Sequence, residues 1–284
     1  MKLLRYGPKG REKPGLLDAD GRIRDLSKKI ADIGPETLAP ARLKALARLD
    51  AKRLPLVKGK PRLGPPVAGV GKIVAVGINY AAHGAETKIA VPSEPILFSK
   101  AVTSLSGPND PVVLPKGSKK GDWEVELAVV IGRRAQYVPA KDALRYVAGF
   151  TIMNDVSERE FQIERSGQWV KGKSFDTFAP CGPWLVTPDE VADPQNLRLW
   201  LEVSGVRRQD GNTSTMIFGV ADCIASISTY MTLMPGDIIA TGTPPGVGLG
   251  MKPPVFLKPG DVMRLGIDGL GQQRQEVRAW KDRR

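Results

Sequence analysis

Hydrophobic residues in this chain fall mostly into short runs closed by glycine, proline or aspartate, the punctuation of a strand-and-turn protein. Beyond residue 70 these runs are KIVAVG, PILFSK, DPVVLP, WEVELAVVIG, AGFTIMND, LRLWLEVSG, GDIIATG and DVMRLGI. Helical spacing is confined to a few stretches: PARLKALARLD, with Leu43, Leu46 and Leu49 in step, PAKDALRYV, and GVADCIASISTYMTL. Near the start, MKLLRY and PGLLDADGRIRDLS read as short strands, the second interrupted by a DADG turn. A Pro/Gly-rich connector, KGKPRLGPPVAGVG, predicts a small amino-terminal domain over residues 1–62 and a larger domain over 63–284. Strands and helices do not alternate as in a doubly wound sheet, so the expected class is β-rich α+β.

The alternation in WEVELAVVI carries the first chemical signal. Side chains alternate across a strand, so Glu124 and Glu126 share one face, while Trp123, Val125, Leu127, Val129 and Ile131 form an apolar set on the other. Two adjacent carboxylates on a mostly buried strand repel each other and lose hydration. A divalent cation removes that cost. Asp155, ending the apolar stretch AGFTIMND, offers a third oxygen. An all-oxygen set suits magnesium, manganese or calcium rather than zinc. An isolated ExE is more often a solvated pair, and it is the neighbouring residues that favour the metal.

Those neighbours are of four kinds. His83, the single histidine, lies in NYAAHGAE three residues before Glu86, the spacing of a general base and its orienting carboxylate on a helical turn. In SEREFQ, Ser157 and Glu160 have the capping-box form and predict a helix start, with Arg159 and Gln162 on one face. Lys173 sits among Trp169, Phe175 and Phe178, placed to offset charge developing on a substrate. GDIIATGTPPGVGLG is a strand entering a Gly/Pro loop with Thr241 and Thr243, where backbone N–H groups and hydroxyls are expected to face an anion. No GK[ST] ends this loop, which excludes a P-loop.

Composition narrows the surroundings. The chain has 284 residues, 42% of them hydrophobic, enough for a large core. Of the +12 net charge, +10 lies in residues 1–62, where 17 Lys+Arg face 7 Asp+Glu. No aromatic interleaving accompanies it, so it reads as a solvated surface and no nucleic acid is expected. The opening MKLLRYGPKGREKPG has no apolar leader region, and no apolar run reaches the roughly 20 residues that span a bilayer, so no membrane association is expected. Cys181 and Cys223 stand far apart with no CxxC, the pattern of reduced thiols and a cytoplasmic address.

Taken in order, NYAAHGAE, WEVELAVVIG, NDVSERE, KGKSFDTFAP and PGDIIATGTPPGVG resemble the fumarylacetoacetate hydrolase family over roughly residues 70–280. The stretches MKLLRYGP and DADGRIRDL look like its sugar-acid branch, which contains hydrolases of 2,4-diketo-3-deoxy sugar acids and members often labelled ureidoglycolate lyase. The resemblance implies a mixed β-roll catalytic domain with a smaller amino-terminal α+β domain, a homodimer, and a magnesium or manganese site on Glu124, Glu126 and Asp155. It puts the His83–Glu86 pair on a segment that orders over the substrate. Lys173, Arg159, Gln162 and Thr243 then fall at substrate- and enolate-binding positions, and Lys100 in PILFSK where relatives contact substrate. The implied activity is metal-dependent hydrolysis of a C–C bond in a 2,4-dioxo acid. Oxaloacetate decarboxylation and ureidoglycolate cleavage are alternatives on the same core. A non-catalytic module that binds a keto acid through its metal is a third reading, disfavoured by a base, an orienter and a lysine around one site.

Overall fold

In the computed structural model, which describes residues 1–87 and 90–281, the alternating strand Val125–Ile131 lies in the interior of a large mixed sheet. Its antiparallel neighbours are Val147–Asn154 and Ile238–Ala240. Beyond Ile238–Ala240 come the parallel strand Ile73–Gly77 and the antiparallel edge Ile96–Lys100. Beyond Val147–Asn154 come Ala179–Val186, then Lys2–Tyr6, Lys13–Leu17 and Ile23–Asp25. A second sheet is ordered Val206–Asn212, Arg198–Val203, Val262–Ile267, Gly271–Ala279 and Val112–Leu114.

The period-2 pattern accounts for how the layers meet. Trp123, Val125, Leu127, Val129 and Ile131 all enter one core, which they share with Leu199, Leu201, Met263 and Leu265 of the second sheet. The opposite face offers Ala128 and Val130 to Leu3, Leu16, Leu43 and Leu46 of the amino-terminal segment. That segment extends the same sheet, with Lys2 opposite Val186 and Leu3 opposite Leu185. Residues 1–62 and the remainder thus share both a core and a hydrogen-bonded ladder.

The class is the β-rich α+β one expected. Pro40–Ala47 is helical and buries Leu43 and Leu46. Val220–Tyr230 buries Val220, Cys223, Ile224 and Ile227 at helical spacing, and Asp222 accepts from the Gly219 N–H at its start (3.0 Å). PAKDALRYV forms only one α-turn, Ala140–Ala143, followed by a 3₁₀ turn. Among the described residues no helix is long and apolar enough to cross a membrane.

Candidate active site

Backbone pairing brings the three acids together. Val125 opposes Asn154 in the ladder, so Glu124 and Asp155 are the next residues outward, and the Asp155 N–H donates to the Glu124 carbonyl (2.9 Å). Glu126 follows one residue inside the strand, on the same face as Glu124. One carboxylate oxygen from each of Glu124, Glu126 and Asp155 lies within 4.8 Å of the others, and all three side chains are buried.

Cations surround two of the three. Lys173 Nζ donates to Glu124 Oε2 and Asp155 Oδ2, both at 2.7 Å. Arg159 donates to Glu124 Oε1 (2.6 Å), Asp122 Oδ2 (2.8 Å) and Gln162 Oε1 (2.9 Å). Lys100 donates to Asp155 Oδ1 and to the Val156 carbonyl (3.2 Å). Glu126 accepts instead from a neutral group, the Gly242 N–H, at 2.8 Å. The electrostatics divide accordingly. Burial pushes the Glu124 carboxyl upward, but Lys173 and Arg159 outweigh it and hold the group at about 2. Glu126 is pushed well above the usual carboxylate range by burial and then by the charges of Asp155 and Glu124. Burial and the charge of Lys173 together lower Lys100 against the pull of Asp155. A buried, all-oxygen triad with one carboxylate that no cation contacts among the described residues fits a hard divalent ion, and Glu124, Glu126 and Asp155 are the residues that would hold it.

Beside the triad opens a cavity of about 310 Å³. His83, Glu124, Glu126, Arg159, Gln162, Lys173 and Thr243 line it, and Phe98, Trp169 and Leu249 supply apolar wall. Lys173 Nζ stands 5.1 Å from the Phe98 ring, which packs edge-on against Trp169; the expected Phe175 and Phe178 pair with each other instead. Gly77 admits Trp169, since a Cβ there would come within 2.5 Å of the indole. Ile78, the next lining residue, has a φ of +52°, a left-handed conformation rare for a β-branched side chain and typical of strain held at functional sites.

One expectation requires correction. Ser157 does not cap a helix: it pairs with Asp122 in a short ladder and donates its hydroxyl to the Asp155 carbonyl (3.1 Å). The following turn, Glu160–Glu164, is π-helical, and the Arg159–Gln162 contact survives because the two residues still meet across it. The loop after Ile238–Ala240, whose Gly242 and Thr243 line the cavity, also spends several of its amides inside the protein. Gly242 donates to Glu126, Gly246 to Glu86 (2.9 Å), and Gly248 and Leu249 to Asp122 (2.7 and 3.0 Å). Its hydroxyls also turn inward, Thr241 to the Leu127 carbonyl (2.8 Å) and Thr243 to that of Val125 (2.9 Å). Gly242, Gly246, Gly248 and Leu249 thus serve the protein's own carboxylates, while Thr243 faces the cavity.

The remaining residues fall as follows. His83 Nδ1 and Glu86 Oε1 are 2.9 Å apart on the helix Ala81–Thr87. An N–H at Nδ1 bound to Glu86 puts the imidazole lone pair on Nε2. Glu86 and Asp155 stand outside the cavity lining, as does Lys100, whose ammonium is spoken for by Asp155 and Val156 in a fully buried position. Asp122 was not anticipated, although the same alternation that aligns Glu124 with Glu126 extends one step back to it. Nor were Asn79 and Gln209, which clamp the loop through Asn79 Nδ2 to the Thr241 carbonyl and Gln209 Nε2 to Thr243 Oγ1, both at 2.8 Å; no spacing in the sequence marks them.

Comparison with known proteins adds independent findings. Residues 72–278 match the family model described as fumarylacetoacetate (FAA) hydrolase C-terminal. A Burkholderia cenocepacia protein, named provisionally as a hydrolase, is 61% identical over 98% of this chain and 99% of its own length. Among solved structures, a fumarylacetoacetate hydrolase from Exiguobacterium antarcticum is 36% identical, covers 99% of this chain and 100% of its own, and superposes with a TM-score of 0.86. A maleylpyruvate hydrolase from Sphingobium sp. SYK-6, in complex with manganese(II) and pyruvate, is 32% identical at the same coverage, with a TM-score of 0.83.

Proposed function

Because the chain belongs to the fumarylacetoacetate hydrolase family and is an enzyme of that kind, we propose that it hydrolyses a C–C bond in a 2,4-dioxo, acylpyruvate-type acid. Water and the substrate would yield pyruvate and a carboxylic acid. The observation that carries this reading is one cavity lined by Glu124 and Glu126 of the carboxylate triad, by the Glu86-supported His83 and by Lys173. The manganese and pyruvate in the maleylpyruvate hydrolase of similar fold support a 2-oxo acid and a divalent cation, here magnesium or manganese. A 2,4-diketo-3-deoxy sugar acid, such as the L-fuconate or L-rhamnonate derivative, is the substrate favoured by the resemblance of the amino-terminal stretches.

A bound divalent cation supplies Lewis-acid polarisation of the 2-oxo acid end. The residues of the chain do the rest. His83, with Nδ1–H held by Glu86, accepts a proton at Nε2 from the water that attacks the C4 carbonyl. Lys173, tethered through two contacts to Glu124 and Asp155, offsets the negative charge that builds on substrate oxygen. Arg159 and Gln162 stand side by side to hold the substrate carboxylate. Breaking the C3–C4 bond leaves its electron pair on the pyruvate fragment, and protonation of C3 completes the products. Phe98, Trp169 and Leu249 limit the water that reaches this point.

The test is incubation with magnesium or manganese and a 2,4-dioxo acid, following loss of enol absorbance and release of pyruvate against a chelated control. Metal-dependent pyruvate release is the expected result. No release under either metal, with carbon dioxide from oxaloacetate or urea from ureidoglycolate instead, would replace hydrolysis by decarboxylase or lyase chemistry.

A further inference from the structure

We propose that Asp122 is a positioning residue that acts on the substrate through Arg159; the proposal rests on the reading of Arg159 as a substrate-binding cation. Asp122 is fully buried, is not one of the three clustered acids, and accepts four hydrogen bonds. Oδ1 takes the Gly248 N–H (2.7 Å) and the Trp123 N–H (2.9 Å), and Oδ2 takes the Leu249 N–H (3.0 Å) and Arg159 Nε (2.8 Å). The two side chains meet because Gly121–Asp122 pairs antiparallel with Ser157–Glu158, and the Arg159 N–H closes the ladder on the Lys120 carbonyl (3.0 Å).

Three acceptors fix the guanidinium: Asp122 at Nε, Glu124 at one terminal nitrogen and Gln162 at the other. Glu124 is a candidate metal ligand and Gln162 lines the cavity, so both have other duties. Asp122 alone ties the fork to the loop, and Leu249 of that loop is cavity wall. Its effect is to hold the planar donor face of Arg159 at a set angle to the wall and the triad, which a bidentate carboxylate contact requires.

The experiment measures kcat, KM and metal affinity for Asp122→Asn, Arg159→Met and the double variant, with a thermal melt of each. Asp122→Asn keeps the size but cannot accept at both ends, and is expected to raise KM about 10-fold while leaving metal affinity within about 3-fold. In the Arg159→Met background it should add little, since its target is gone. Asp122→Glu, which keeps the carboxylate but displaces it from Arg159 Nε, should reproduce the KM loss and provides the reading if Asp122→Asn does not fold. An unchanged KM in Asp122→Asn beside a raised one in Arg159→Met overturns this proposal and leaves the proposed function standing, as do losses that simply multiply in the double variant. Unchanged KM in Arg159→Met overturns both this proposal and the assigned role of Arg159.

Discussion

His83 shows what could and could not be read at the scale of a residue. Its spacing to Glu86 announced the pair, and the 2.9 Å contact realises it. What spacing could not announce is that Glu86 also accepts the Gly246 and Val247 amides, so the orienter of the histidine is itself anchored to the loop opposite. Lys100 teaches the converse. A lysine near a proposed site suggests substrate contact, yet its ammonium lies behind the cavity wall on Asp155, because a buried carboxylate needs a partner more than a substrate needs a second cation. If His83 is the base, His83→Ala lowers kcat by about 10²–10⁴-fold, the usual worth of a general base. Metal affinity should stay near wild type, because His83 is outside the acid cluster. Steady-state kinetics with a parallel metal titration checks both, and full turnover in the variant would remove His83 from the mechanism.

Elements were legible wherever a two-residue period separated apolar from polar, and obscure wherever the core itself is polar. Gly271–Ala279 reads as a polar stretch, yet Gln273 and Gln275 point inward, where Gln273 Nε2 serves the Ile152 and Gly182 carbonyls (both 2.9 Å) and Gln275 accepts from Asn154 (3.1 Å). Ala179–Val186 hides its strand behind Pro180 and Pro183. Two predictions belong to elements. Gly242 has a φ of +92°, and a Cβ there would lie 2.7 Å from that of Asn79. Gly242→Ala should therefore cost about 1–3 kcal/mol in urea unfolding and displace the N–H that serves Glu126, so that metal affinity falls as well. In the amino-terminal hairpin, Asp18 is held at about 2, first by the Arg22 amide and then, against burial, by the Arg24 and Arg22 guanidinium groups. A folded-state pKa below the unfolded one means stability that is complete above the unfolded value and disappears as pH falls toward 2. Asp18→Asn should thus lower the urea midpoint at pH 7, and the gap from wild type should close on acidification between about pH 4 and pH 2. A gap independent of pH would show that the charge of Asp18 contributes nothing.

At the scale of the whole molecule, the β-rich class followed from pattern. The packing of residues 1–62 on the back of the acid-bearing sheet did not, since the Pro/Gly connector says nothing about what lies on either side of it. That packing puts Ala128 and Val130 against Leu3 and Leu16, while the front of the same strand carries the second core. A strand clamped on both faces holds Glu126 in place whether or not an ion is present, and so the burial of its carboxyl, with the charges of Asp155 and Glu124 beside it, counts against the stability of the metal-free protein. Divalent metal should then act as a stabilising ligand of the native state. At a hundredfold excess over its dissociation constant it contributes about 2.7 kcal/mol. For a chain of this size that is a rise in Tm of several degrees, at roughly 2–4 °C per kcal/mol. Glu126→Gln removes the ionisable carboxyl that burial and its neighbours disfavour and leaves the triad only a neutral amide oxygen in its place. The metal-free variant should therefore melt at or above the metal-free wild type, gain much less than wild type on adding manganese or magnesium, and lose turnover. Thermal melts of both proteins with and without chelator separate the two effects. A variant that gains as much stability from metal as the wild type would move the cation away from Glu126.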